Sequence, residues 1–163
     1  LSEGAILQAA TSFTGAGKRM ELICRNEHFA AYLDFAHAPS KLKSTIDAVS
    51  ARFLDFTKIA IYELHTFSSL NVDFLKEYKN TMKNADVKIV YYSKHTLEMK
   101  KMNMIEPEDV IKAFNEEDVH IFSEKEELMH FINQQKMYNT VLLWMSSGNF
   151  DGLDVKNISK SFV

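Results

Sequence analysis

Leu33-Asp34-Phe35-Ala36-His37-Ala38-Pro39 is the stretch that decides how the rest of this chain reads. An apolar-rich run, Phe29 to Leu33, leads into it, and a periodic segment, Ser40 to Phe53, leads out. Proline suits the first turn of a helix, where its missing N–H would have no intrahelical partner. Leu42, Ile46, Val49 and Phe53 then recur on one helical face. The heptad is therefore a hand-over from strand to helix. It places a carboxylate and an imidazole at the carboxyl end of a strand, where open α/β sheets bind ligands.

Working outward, Met20–Arg25 and Phe29–Asp34 are short apolar runs separated by Asn26-Glu27-His28, the spacing of a hairpin. Downstream, the runs Lys58–Leu64, Val87–Tyr92, Val119–Phe122 and Thr140–Met145 read as strands. Leu70, Phe74, Tyr78 and Met82 mark an amphipathic helix, and Pro107–Phe114 a short one. Ser123 with Glu126 forms a capping box for a helix over Glu124–Gln135, and a last short helix runs near Val155–Phe162. Strands alternating with helices imply a mainly parallel sheet covered on both faces. The expected fold is an α/β, Rossmann-like three-layer domain of about six strands, with the N-terminal hairpin as an antiparallel edge. Residues 1–19 read as a short helical piece and a Gly-containing linker, and 20–163 as the domain. The opening at Leu1, in mid-pattern, reads as a piece of something longer.

The 163 residues suffice for one domain with a core. A net charge of −3 leaves no basic stripe and argues against nucleic acid as partner. No apolar run approaches the ~18 residues of a membrane span, and the first residues lack the pattern of a signal peptide. Cys24 is the single cysteine, so there is no disulfide framework or thiolate metal cluster, and a reducing cytoplasm fits.

Polar groups collect after three strand runs. Asp34 can accept ribose hydroxyls and His37 can bind a phosphate, as such groups do in nucleotide sites; a helix-capping Asp beside a partly buried His is the plainer alternative. Glu63 and His65 follow the Lys58–Leu64 strand. Met145-Ser146-Ser147-Gly148-Asn149-Phe150 follows the last one, where small residues permit close backbone approach and Ser and Asn exchange hydrogen bonds. An ordinary strand-to-helix turn uses the same residue types. Thr14-Gly15-Ala16-Gly17-Lys18-Arg19 is not a P-loop: Ser12 stands at the first Gly position and Arg19 replaces the Mg²⁺-binding hydroxyl. Met99, Met102 and Met104 read as core and surface filling. His95 and His120 read as surface residues.

The heptad resembles the Asp-Tyr-Ala-His-x-Pro segment that opens the C-terminal domain of the Mur ligases, the ATP-dependent enzymes that build peptidoglycan peptides. Phe13, Gly15, Arg19 and Glu21 are similar to the segment joining that domain to the central ATPase domain. Glu63-Leu64-His65 resembles the family's Gln-Pro-His or Glu-Leu-Arg loop, and the Ser146–Phe150 stretch its Met-Ser-Asn-Gly-x-Phe loop. The resemblance implies Arg19, Asp34 and His37 as nucleotide contacts and Glu63, His65, Ser147 and Asn149 as acceptor contacts. It implies no catalytic residue and no metal ligand within this domain. ATP and Mg²⁺ would serve the full-length enzyme, held largely by an N-terminal and a central domain of the same protein. The substrates implied are UDP-N-acetylmuramate and a peptide or amino-acid acceptor, in the bacterial cytoplasm.

Two departures qualify this. Ala38 stands where many members have a second His, and the family Arg near Ser69 is absent, with His65 as a weaker substitute. The last loop leans toward the branch that joins a recycled L-alanyl-γ-D-glutamyl-meso-diaminopimelate tripeptide to UDP-N-acetylmuramate, ahead of the L-alanine-adding branch. A free-standing Rossmann-like binding module is the alternative from another class. A dehydrogenase domain would need a GxGxxG after a strand, and none is present.

Overall fold

The structure is a computed structural model that describes residues 19–116 and 118–163. The expected linker and the Gly15–Lys18 stretch lie outside the described residues, except for Arg19. Six strands form one sheet: β1 (Glu21–Arg25), β2 (Phe29–Asp34), β3 (Thr57–Glu63), β4 (Val87–Tyr91), β5 (Val119–Phe122) and β6 (Thr140–Met145). Their spatial order is β1-β2-β6-β3-β4-β5. Only the β1–β2 pair is antiparallel; every other pair is parallel. This is the three-layer α/β arrangement expected, with the hairpin at its edge.

Side-chain alternation along the strands divides the interior into two layers. Ala30, Tyr32, Ala60, Tyr62, Leu143 and Met145 face α1 (Pro39–Arg52), where Leu42, Ile46 and Val49 are fully buried. The same layer holds the 70–85 segment, α3 (Lys94–Met99) and α4 (Pro107–Phe114). Ala31, Leu33, Ile59, Ile61, Leu142 and Trp144 face α5 (Lys125–Asn133) and α6 (Val155–Lys160) on the other side. Each fully buried aliphatic side chain contributes about 1.5–3 kcal/mol, so both faces matter to stability.

Three local expectations are corrected. Leu70, Phe74, Tyr78 and Met82 do not lie on one continuous helix: α2 covers only Val72–Leu75, followed by a 3₁₀ turn over Lys76–Tyr78. Lys79 leaves helical geometry at ψ 122° and Asn80 takes φ 58°, which ends the helix. Leu70, Tyr78 and Met82 are buried nonetheless, and the buried Glu116 carboxylate accepts the Met82 N–H at 2.8 Å. The Ser123–Glu126 capping box is also absent; Glu124 occupies the N-cap of α5 without a side-chain hydrogen bond. A capping box does occur at α4, between Glu106 and Asp109. Finally, α3 lies in a segment where no helix was expected. Ser93 caps it by accepting the Thr96 N–H at 3.2 Å.

The strand order sets up the functional edge. The segments after β2 and β3 pass to the α1 face, whereas the segment after β6 passes to the opposite face. β6 lies between β2 and β3. Neighbouring connections therefore diverge at the carboxyl end of β6, the topological switch point where open sheets form crevices.

Candidate functional site

Asp34, Glu63 and Ser147 lie at this one edge, as their strand-end positions predict. In the ladder Asp34 pairs with Met145, and Met145 with Tyr62. The Ser146 N–H donates to the Asp34 backbone carbonyl at 3.0 Å, joining the first loop to the last.

At the β2 corner, the buried Asp34 carboxylate serves the fold. One oxygen accepts the Met20 N–H at 2.9 Å, and the other accepts the Thr45 hydroxyl at 2.7 Å. Asp34 therefore ties the chain entering β1 to α1. It does not cap the helix; Ala38 is the N-cap and carries no side-chain bond. Arg19, the neighbour of Met20, is exposed at this corner. His37 is also exposed, with Nδ1 at 3.2 Å from the Phe35 carbonyl and its ring 5.2 Å from that of Phe35.

The β3 and β6 corner is closed. Glu63 is only 3% exposed, and its Oε2 accepts both the Ser146 hydroxyl and the Phe150 N–H, the latter at 2.9 Å. Ser146 Oγ in turn accepts the Gly148 N–H at 2.7 Å. Burial raises the Glu63 pKa; the bonds from Ser146 and Phe150 and the nearby His65 oppose this, while Asp151 adds to it. His65 is half-buried, with Nδ1 3.8 Å from Glu63 Oε1 and no hydrogen-bond partner. Gly148 is required here by close approach: a Cβ would fall 2.5 Å from His65 Nδ1 and 2.8 Å from Glu63 Oε2.

Phe150 and Asp151 follow at φ 50° and 54°, a conformation uncommon for residues other than glycine. The surrounding contacts hold it. The Phe150 ring is buried against Trp144, 5.2 Å away, and the Gly152 N–H donates to Asn149 Oδ1 at 3.3 Å. Asn149 is exposed and Ser147 half-buried, so both are available to a ligand.

Two hollows adjoin this edge. One of about 170 Å³ is lined by Leu33, Gly148, Asn149, Phe150 and the start of α6. A wider groove of about 610 Å³ runs between Pro39-Ser40 and Ser68, Asn71 and Phe74. Among the described residues, no group of three or more His, Cys, Asp or Glu could hold a metal ion. No helix among them is long and apolar enough to cross a membrane.

The structure thus brings Glu63, at the end of β3, and His65 against the loop that carries Ser147 and Asn149, with Asp34 tied to that loop's start through Ser146. Arg19 and His37 stand exposed at the β2 end, and no hydrogen bond or ion pair among the described residues joins them to the others. Sequence reasoning missed Ser146, Gly148 and Phe150 as the groups that shape the loop, and Thr45 as the partner of Asp34. The Gly within a small-residue strand exit was the one available signal for close approach.

Comparison with known proteins agrees with this architecture. A UDP-N-acetylmuramate–L-alanine ligase of Hydrogenobaculum sp. is 27% identical over 153 residues, covering 91% of this chain and 32% of the relative. The chain thus spans about a third of that relative's length. A crystal structure of a murein peptide ligase from Psychrobacter arcticus superposes with a TM-score of 0.68 at 21% identity, over 93% of this chain and 31% of that one. The UDP-N-acetylmuramate–alanine ligase of Thermotoga maritima gives 0.63 at 18% identity, over 99% and 33%. These structural likenesses show a shared fold. The model of the Mur ligase, glutamate ligase domain matches residues 18–148, most of the chain, and so the chain belongs to that family.

Proposed function

We propose that this chain is the C-terminal domain of an ATP-dependent ligase that joins a peptide or amino acid to UDP-N-acetylmuramate in the bacterial cytoplasm. One observation carries the reading: two polar loops, from β3 and β6, are bound to each other at the switch point through Glu63 and Ser146. That junction leaves His65, Ser147 and Asn149 at the rim to meet an acceptor. Asp34 holds Met20, the neighbour of Arg19, at the same strand end from which the exposed His37 follows, and a guanidinium and an imidazole are groups suited to phosphates.

In such a ligase ATP supplies the phosphoryl group that activates the muramate carboxylate. Catalysis of that step rests on positioning and charge neutralisation. In this reading the phosphate-gripping loop and the Mg²⁺ ligands are supplied by the central domain. The part played by this chain is to orient the incoming amine and to cover the nucleotide when the domains close. Alone it is inactive. The Met-Ser-Ser-Gly-Asn-Phe exit favours a recycled tripeptide as acceptor. The likeness to L-alanine ligases supports L-alanine as the second reading.

The test uses the full-length protein. His65→Ala and Asn149→Ala should each lower kcat/KM for the acceptor about ten- to hundred-fold, the value of a hydrogen bond to a charged group, and leave the KM for ATP unchanged. A larger loss with tripeptide than with L-alanine supports the recycling reading. Equal, small losses with both acceptors would leave these loops a structural role only.

A further inference from the structure

The carboxylate of Glu63 is surrounded by protein, not by solvent. It is 3% exposed, and its Oε2 takes two hydrogen bonds from residues 83 and 87 positions downstream. Those donors are the first and fifth residues of the loop that leaves β6. Between them the chain must pass within contact of His65, since Gly148 has no room for a side chain there. The same five-residue span ends at Phe150, which has positive φ, as has Asp151 just after it. Backbone of this kind persists only where the surroundings over-determine it. The Phe150 ring fixes the far end in the core, but the polar closure of the loop depends on Glu63.

We propose that Glu63 is a positioning residue, not a ligand contact: its buried carboxylate latches the Ser146–Gly152 loop onto β3 and so sets where His65, Ser147 and Asn149 stand. Without the latch, the Phe150 N–H and the Ser146 hydroxyl lose their shared acceptor. The Gly148 segment is then free to leave His65. The latch is a statement about the domain itself. Its effect on acceptor use rests on the functional reading above.

Hydrogen exchange in the full-length protein separates the two. Glu63→Ala should speed exchange of the amides over Gly148–Gly152 about ten- to hundred-fold, as loss of a charge-assisted bond predicts. The amides of β2 and α1 should be unchanged. Glu63→Gln keeps the volume and a carbonyl acceptor, and should restore most of the protection. In kinetics, Glu63→Ala should raise the acceptor KM while sparing the KM for ATP, with Glu63→Gln between it and the parent. Unaltered exchange over Gly148–Gly152 in Glu63→Ala would overturn the latch. Lost protection with an unmoved acceptor KM would uphold the latch and instead refute the acceptor role of the loop.

Discussion

Two corners of one sheet edge carry the same pair of functional groups, a carboxylate and an imidazole, and use them differently. At the end of β2, Asp34 is buried and bonded to Met20 and Thr45, while His37 stands exposed against Phe35. At the end of β3, Glu63 is buried and bonded to Ser146 and Phe150, while His65 is confined between Glu63 and Gly148. In both corners the carboxylate organises chain segments that are distant in sequence. The difference lies in the imidazole. At the β2 corner the imidazole is exposed, as the proposed covering of a nucleotide requires. The β3 corner is already assembled within the domain, as the proposed acceptor pocket requires.

The largest expected effect comes from dismantling the open corner. Asp34→Ala removes two charge-assisted bonds, each worth about 1.5 kcal/mol or more, so unfolding should become easier by about 3 kcal/mol. Urea denaturation measures this, and Thr45→Val, which removes one bond, should lose about half as much. Equal losses for the two variants would mean that the Met20 bond contributes nothing, and the tie to Arg19 would fall with it.

Gly148→Ala attacks the closed corner. Overpacking of this kind costs about 1–3 kcal/mol, and the clash falls on His65. Adding His65→Ala should recover part of the loss in thermal or urea unfolding, because it removes the tightest clash and leaves the approach to Glu63 Oε2 at 2.8 Å. Strictly additive losses would show that the strain lies against Glu63 or in the backbone and not against the imidazole.

The smallest effect is electrostatic. Burial raises the Glu63 pKa above its ordinary 4.5, with Asp151 adding to the rise and Ser146, Phe150 and His65 opposing it. The buried phenols of Tyr62 and Tyr91 lie within electrostatic reach of this carboxylate and stay neutral, since burial pushes both up. A raised folded-state pKa contributes stability below 4.5 that is lost as pH rises through the folded value. Glu63→Gln has no such charge. Its stability relative to the parent should therefore increase from acid toward neutral pH, by about 1.4 kcal/mol for each unit of the rise. Parallel pH profiles for the two proteins would mean that the bonds from Ser146 and Phe150 fully offset the burial.

Local physics made much of this legible beforehand. The heptad at Leu33–Pro39 marked a strand exit, and α1 begins at Pro39 with the expected apolar face buried. The placement of Asp34, Glu63 and Ser147 on one edge followed from each ending an apolar run. The Leu70–Met82 helix failed for a physical reason. Apolar spacing of four is satisfied by burial alone, and the core buries Leu70, Tyr78 and Met82 from turns as well as from a helix. The Ser123 cap failed because that signal names a side chain able to bond, not the backbone geometry that lets it. The roles of Asp34 and Glu63 were hidden too. Residue type announced a carboxylate at a strand end, but not whether its partners would be ligand or protein.

The sequence by itself determined the strands and most of the helices, since hydrophobic period and proline and glycine chemistry act within a few residues. It also determined the family, through motifs that survive as short local patterns. Only the tertiary structure decided that β6, the last strand, lies between β2 and β3. That insertion creates the switch point, and it brings Ser146 and Phe150 to Glu63 across 83 and 87 residues of chain. Pairing over such distances depends on how whole layers pack, and no local pattern encodes it.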